Sequence, residues 1–168
     1  MKSWEETLQA VVRTYYRSGP AEPPEWVKDR PPSAPEPVTI SNATCGDRVV
    51  VHVDSSIHST EGVRRIWLDV AGCAICKASA EMVLRAAETL SWREMGACAQ
   101  EVSAWLNKAA PGRVPDGASR ASEPPELPPE ALPPEDLTAM LRLRDVPGRS
   151  RCASLPWEAV AHVIAESR

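Results

Sequence analysis

The sequence predicts an α+β fold: a three-stranded, mainly antiparallel sheet with helices packed on one face. Strand-like segments gather early in the chain, while helical periodicity brackets and follows them, a grouping that favours an antiparallel sheet. The prolines mark where regular structure stops. Seven of the seventeen fall in 20–37 and eight in 111–134. Proline lacks an N–H and restricts its predecessor, so both stretches are expected to be loops or linkers, partly polyproline-like. The 168 residues are then one domain, 1–168, carrying proline-rich loops at about 20–37 and 111–134.

Each element follows from its residues. In 3–17, Trp4, Leu8, Val11, Val12 and Tyr15 recur at helical spacing, and Ser3 can cap with Glu6. "VTI" is a short strand. "RVVVHV" places Val49, Val51 and Val53 on one face, with His52 facing outward. "VRRIWLDV" alternates less cleanly, and "DSSIHSTEG" joins the two as a hairpin-length turn holding His58. "CAICKASAEMVLRAAETL" and "SWREMGACAQEVSAWLNK" read as helices. The second carries Trp92, Met95, Val102, Trp105 and Leu106 on a broad apolar stripe. "EDLTAMLRLRDV" is a short helix, and the last helix, with His162 on its surface, is expected from about Ser154. "LPPEALPPED" reads as a stiff spacer.

Composition narrows the function. A net charge of −4 without a long basic run makes nucleic acid an unexpected partner. No run approaches the roughly 20 apolar residues of a membrane helix, and the N-terminus lacks an apolar signal core. No membrane association and a cytoplasmic location are therefore expected. Five cysteines in such a chain point to free, metal-bound or reactive thiols rather than a disulfide framework.

Three of those cysteines share a position type. Cys45 lies in a turn before a strand, Cys73 where a strand gives way to a helix, and Cys152 just before the last helix. Side chains at such boundaries can converge from separate segments. Helix N-termini stabilise thiolates, and Arg48, Arg149 and Arg151 are near enough in sequence to add to that. The spacing matches no zinc finger. The residues alone leave a metal site and three small, packed thiols both open. Cys76 forms C-x-x-C with Cys73 and shares its helix face. Such a pair can serve redox chemistry or offer an alternative ligand, but buried packing is the preferred reading of Cys76. Cys98 is read as core.

"NATCGDRVVVHV", "VAGCAICKASAEMV" and "DVPGRSRCASLPWEAV" together resemble the three signature segments of SufU-type proteins, a branch of the SufU/IscU/NifU N-terminal family of iron–sulfur cluster assembly proteins. "LQAVVRTYYR" resembles that family's first helix, and "EDLTAMLRL" a helix of the insertion that separates SufU from IscU. The resemblance covers most of the chain. It implies that Cys45, Asp47, Cys73 and Cys152 are metal or cluster ligands and that Arg149 supports them. The IscU branch has a histidine before its third cysteine. Arg151 stands there in this chain, which favours the SufU branch.

The implied chemistry suits these residue types. Three thiolates and a carboxylate give Zn²⁺ four ligands and a closed site. Asp47 is the harder, more exchangeable ligand. The resemblance implies a pyridoxal-phosphate, SufS-type cysteine desulfurase as partner, Cys45 as persulfide acceptor, and downstream iron–sulfur assembly proteins as recipients. Two alternatives use the same ligands: a scaffold that assembles a [2Fe–2S] cluster or binds iron, and a non-catalytic, zinc-stabilised interaction module. The oligomeric state and any formal enzyme class stay open.

Overall fold

The computed structural model describes residues 3–18, 22–54, 65–108, 124–146 and 148–167. In chain order the elements are α1 (Trp4–Ser18), α2 (Glu25–Lys28), β1 (Val38–Ser41), β2 (Arg48–Val53), β3 (Ile66–Ala71), α3 (Ala74–Thr89), α4 (Trp92–Asn107), α5 (Pro134–Leu141), a 3₁₀ turn (Arg142–Asp145) and α6 (Ser150–Glu166). The strands form one sheet in the order β1-β2-β3, antiparallel throughout.

Strand alternation produces the two-sided sheet. Val51 pairs with Val38 on one side and Leu68 on the other, and Val49 with Ile40 and Val70. Val49, Val51, Ile66 and Leu68 are buried against the helices. α6 packs on β1 and β2, and α3 on β3. The opposite face carries Thr39, Val50, His52, Trp67 and Asp69, none of them fully buried.

Helix ends follow local chemistry. Ser3 and Glu6 exchange reciprocal hydrogen bonds at the start of α1. Ser91 and Glu94 do the same at the start of α4. The helices meet around Trp157, whose Nε1 donates to Ser79 Oγ at 3.0 Å, while Ser79 Oγ donates to the Ala153 carbonyl at 2.6 Å. These two bonds satisfy the polar groups at the buried α3–α6 contact. Tyr15 OH donates to Asp136 at 2.8 Å and ties α1 to α5, with the Arg85 guanidinium over its ring at 4.7 Å.

Several expectations change. α6 begins at Ser150, not near Ser154, so Cys152 lies in its first turn and Pro156 inside the helix. Pro156 cannot donate to the Cys152 carbonyl and its ring crowds that carbonyl, and the helix continues through it with Leu155, Pro156 and Trp157 buried. The first proline-rich stretch contains α2, capped by Pro24. Its Trp26, Arg30, Pro31 and Pro35 line a cavity of about 50 Å³ with His52, Val53 and Asp54. The second stretch is no free spacer over its described part, because Leu127, Ala131 and Leu132 are buried in the core. His52 faces outward as expected, but its ring is mostly covered and its Nε2 lies 2.8 Å from Asp69 Oδ2. His58, the β2–β3 turn, Pro20, and 111–123 lie outside the described residues. No helix among the described residues is long and apolar enough to cross a membrane.

Candidate metal centre

Three distant segments converge at the end of the sheet where β1 meets β2. The β1–β2 connection carries Cys45 and Asp47. The Asn42 N–H donates to the Asp47 carbonyl at 2.8 Å, and the Gly46 N–H to the Asn42 carbonyl at 2.8 Å. Gly46 takes φ +76, a left-handed conformation that glycine adopts without a Cβ clash. Asn42 also holds the thiol directly: its Nδ2 donates to Cys45 Sγ at 3.0 Å, and its Oδ1 accepts from the Thr44 N–H.

Cys73 is the residue that caps α3, as predicted from the strand-to-helix transition. Its N–H donates to Asp47 Oδ1 at 3.1 Å, and its Sγ lies 3.7 Å from Asp47 Oδ2. Gly72 makes this approach possible. A Cβ there would stand 2.8 Å from Asp47 Oδ1 and 2.9 Å from its Cγ, closer than real side chains pack. Cys152, in the first turn of α6, has its Sγ 3.9 Å from Cys45 Sγ and 3.6 Å from the Gly148 carbonyl.

The ligand atoms of Cys45, Asp47 and Cys152 all lie within 4.8 Å of one another, and Cys73 joins them through Asp47. Three of the four predicted ligands thus lie within reach of one ion, while Cys73 falls outside that mutual distance and meets the group at Asp47. Thiolates and a carboxylate are donor types that zinc takes. Zinc–sulfur bonds of about 2.3 Å place neighbouring sulfurs about 3.8 Å apart, close to the 3.9 Å between Cys45 and Cys152. Thiolates also suit iron.

Exposure divides the group. Cys45 is exposed, Cys73 half-buried and Cys152 buried, while Asp47 is only 3% exposed. Burial opposes the charge on Asp47. Hydrogen bonds from the Cys152 and Cys45 thiols, the Cys73 N–H and the Cys73 thiol outweigh it and hold the carboxyl below its ordinary range. In Cys152, burial, the Asp47 carboxylate and Cys73 push the free thiol upward. The expected lowering by arginines and a helix start does not prevail there. Arg151 is spent on an ion pair with Glu158 along its own helix, and the Arg48 and Arg149 side chains are exposed.

Sequence reasoning missed Asn42 and Gly72. Both had a signal: Asn42 opens the turn three residues before the thiol, and Gly72 is the small residue against Cys73. Cys76 is fully buried, as preferred, and burial pushes its thiol up to about 12. Cys98 packs only partly into the core. His162 is exposed, 3.3 Å from Glu166.

Neither a protein-family model nor a curated relative matches the sequence. Solved structures do. A hypothetical protein with a crystal structure at 2.3 Å resolution is 21% identical with a TM-score of 0.60, over 96% of this chain and 98% of that one. The N-terminal part of a nitrogen-fixing NifU-like protein from Brucella abortus is 19% identical with a TM-score of 0.62, over 98% and 96%. A proposed iron–sulfur cluster assembly scaffold protein for the SUF system from thermophilic Fervidobacterium islandicum AW-1 is 18% identical with a TM-score of 0.52, over 89% and 90%. The chain thus has the fold of the NifU-like N-terminal domain and the SUF-system scaffold, the fold that its three cysteine segments led us to expect.

Proposed function

We propose that this chain is a SufU-branch protein of iron–sulfur cluster assembly. In this reading Cys45, Asp47, Cys73 and Cys152 hold zinc, and Cys45 accepts persulfide sulfur from a SufS-type cysteine desulfurase for downstream assembly proteins in the cytoplasm. Residues 1–168 act as one domain. The convergence of Cys45, Asp47 and Cys152 within 4.8 Å, from segments about a hundred residues apart, supports it most.

When bound, zinc would keep the thiols deprotonated and protect them from oxidation. The protein's own residues then divide the work. Cys152, Cys73 and Asp47 are anchored by helix packing and by the Cys73 N–H. Cys45 stands at the exposed rim, on a loop held by Asn42. Its sulfur attacks the outer sulfur of the partner's persulfide. A new S–S bond forms on Cys45 as the partner's S–S bond breaks, and the partner's thiolate leaves. Arg149, exposed at the start of α6, supplies positive charge to the incoming anionic sulfur.

The test is persulfide labelling after incubation with a cysteine desulfurase and cysteine. Cys45→Ser is expected to carry no label while keeping its fold, and undiminished label on that variant would refute the acceptor assignment. Metal analysis of protein purified without oxygen separates the remaining readings. About one zinc per chain without sulfide supports sulfur transfer. Iron with matching acid-labile sulfide supports the scaffold reading, which the description of the Fervidobacterium protein favours. Bound zinc with no sulfur accepted leaves an interaction module.

A further inference from the structure

Cys76 adjoins the centre but stands outside its donor set. Cys73 caps α3 and Cys76 is the third residue of its first turn. These two positions face each other, and in α4 the same pair of positions, Ser91 and Glu94, exchanges reciprocal hydrogen bonds. At the start of α3 no side chain makes a capping hydrogen bond, and two thiols occupy the positions instead. Cys73 lies just outside the helix in extended backbone, φ −71 and ψ 169, the N-cap geometry that brings a side chain over the third helical position. A disulfide between them needs Cβ atoms about 3.5–4.5 Å apart. The two thiols also differ in access: Cys73 is half-buried and Cys76 sealed.

We propose that Cys73 and Cys76 form a redox-active dithiol, oxidised by small-molecule disulfides, that withdraws Cys73 from the metal centre. The metal part rests on the reading above, whereas the disulfide does not. The Cys73 sulfur attacks one sulfur of the small disulfide, whose S–S bond breaks and releases one thiolate. Cys76 Sγ then attacks the Cys73 sulfur. The mixed S–S bond breaks, and the second small thiolate leaves with the proton of Cys76. Two protein thiols are oxidised and one small disulfide is reduced to two thiols. If Cys45, Asp47 and Cys152 are committed to the metal, Cys76 is the thiol left uncommitted at the start of α3.

The experiment titrates the full zinc-loaded chain with glutathione disulfide, following zinc with a chromogenic chelator and disulfides by non-reducing tryptic mass mapping. Cleavage after Arg65 and Lys77 places both cysteines in one peptide, so the disulfide appears as a loss of about 2 Da. Zinc release is expected to track that loss. Cys76→Ala is expected to need about tenfold more oxidant and to retain a glutathione adduct on Cys73. A disulfide joining Cys45 to Cys152 instead, or release from Cys76→Ala at unchanged oxidant, overturns the proposal. If that variant does not fold, the wild-type peptide map decides alone. A chain that holds no zinc removes the metal reading only. The metal-free chain must still form the 73–76 disulfide, and its failure to do so overturns the inference.

Discussion

Cys45 and Cys152 have sulfurs 3.9 Å apart, yet they are held in opposite ways. Cys152 lies in a helix whose inner face is core, with Ala153, Leu155, Trp157 and Val160 all fully buried. Cys45 sits on a loop closed by a few hydrogen bonds from Asn42 and Gly46. One side of the centre inherits its position from the folding of the whole domain, and the other only from local turn chemistry. A cluster built this way can keep its shape while the Cys45 side moves.

The largest expected effect tests the anchored side. Trp157→Ala should destabilise the chain by about 3–5 kcal/mol in urea unfolding, because it empties a fully buried site. It also removes the N–H that donates to Ser79 Oγ, which keeps its own bond to the Ala153 carbonyl. A cost below about 1 kcal/mol would mean that Cys152 is not anchored through the core.

Gly72→Ala probes the seam between the two sides. The new methyl would overlap the Asp47 carboxylate, and overpacking of this kind costs about 1–3 kcal/mol. Metal bound per chain should fall more sharply than the melting temperature does. Full occupancy in this variant would show that Asp47 need not stay where Cys73 holds it.

Tyr15→Phe reports on the helical side alone. Burial first, and the hydrogen bond to Asp136 second, raise the Tyr15 pKa above its ordinary 10.0. A raised folded-state pKa contributes stability that is complete below the unfolded value and is lost as pH rises through the folded one. Wild-type stability should therefore decline above about pH 10. The variant should lose about 1 kcal/mol at neutral pH and show a flatter alkaline limb. An identical alkaline limb would mean that Tyr15 does not contribute to it.

The anchored side was also the more legible in the sequence. The Val49, Val51, Val53 alternation and the Trp92–Leu106 stripe repeat at periods that burial enforces, and both elements formed where expected. Cys73 was legible because strand composition ends abruptly at Gly72. The start of α6 was not. Proline rules place Pro156 near a helix start, whereas core packing carries it into the second turn. The proline-rich stretches misled in the same way, since Leu127 and Leu132 are buried by contacts that no local pattern records. Asn42 escaped notice because its role depends on where a turn aims one amide. The three cysteine segments, read as a resemblance, pointed to four donors, of which Cys45, Asp47 and Cys152 lie within 4.8 Å of one another, while their individual burial emerged only from the fold.

The smallest expected effect sharpens the contrast most. Asn42→Ala removes the Nδ2 donor to Cys45 Sγ and the Oδ1 acceptor for the Thr44 N–H, but it leaves the backbone pairing of Asn42 with Asp47 and Gly46 in place. On a partly exposed loop two such bonds contribute about 1 kcal/mol, so unfolding should shift only slightly. The thiols should respond unequally. In metal-free protein, alkylation of Cys45 should speed up by about three- to tenfold, the factor that a bond of this strength implies. Alkylation of Cys152, sealed by α6 and the core, should not change. Equal acceleration at both cysteines would mean that the loop and the helix move as one body, and Cys45 would then have no independent freedom with which to accept sulfur.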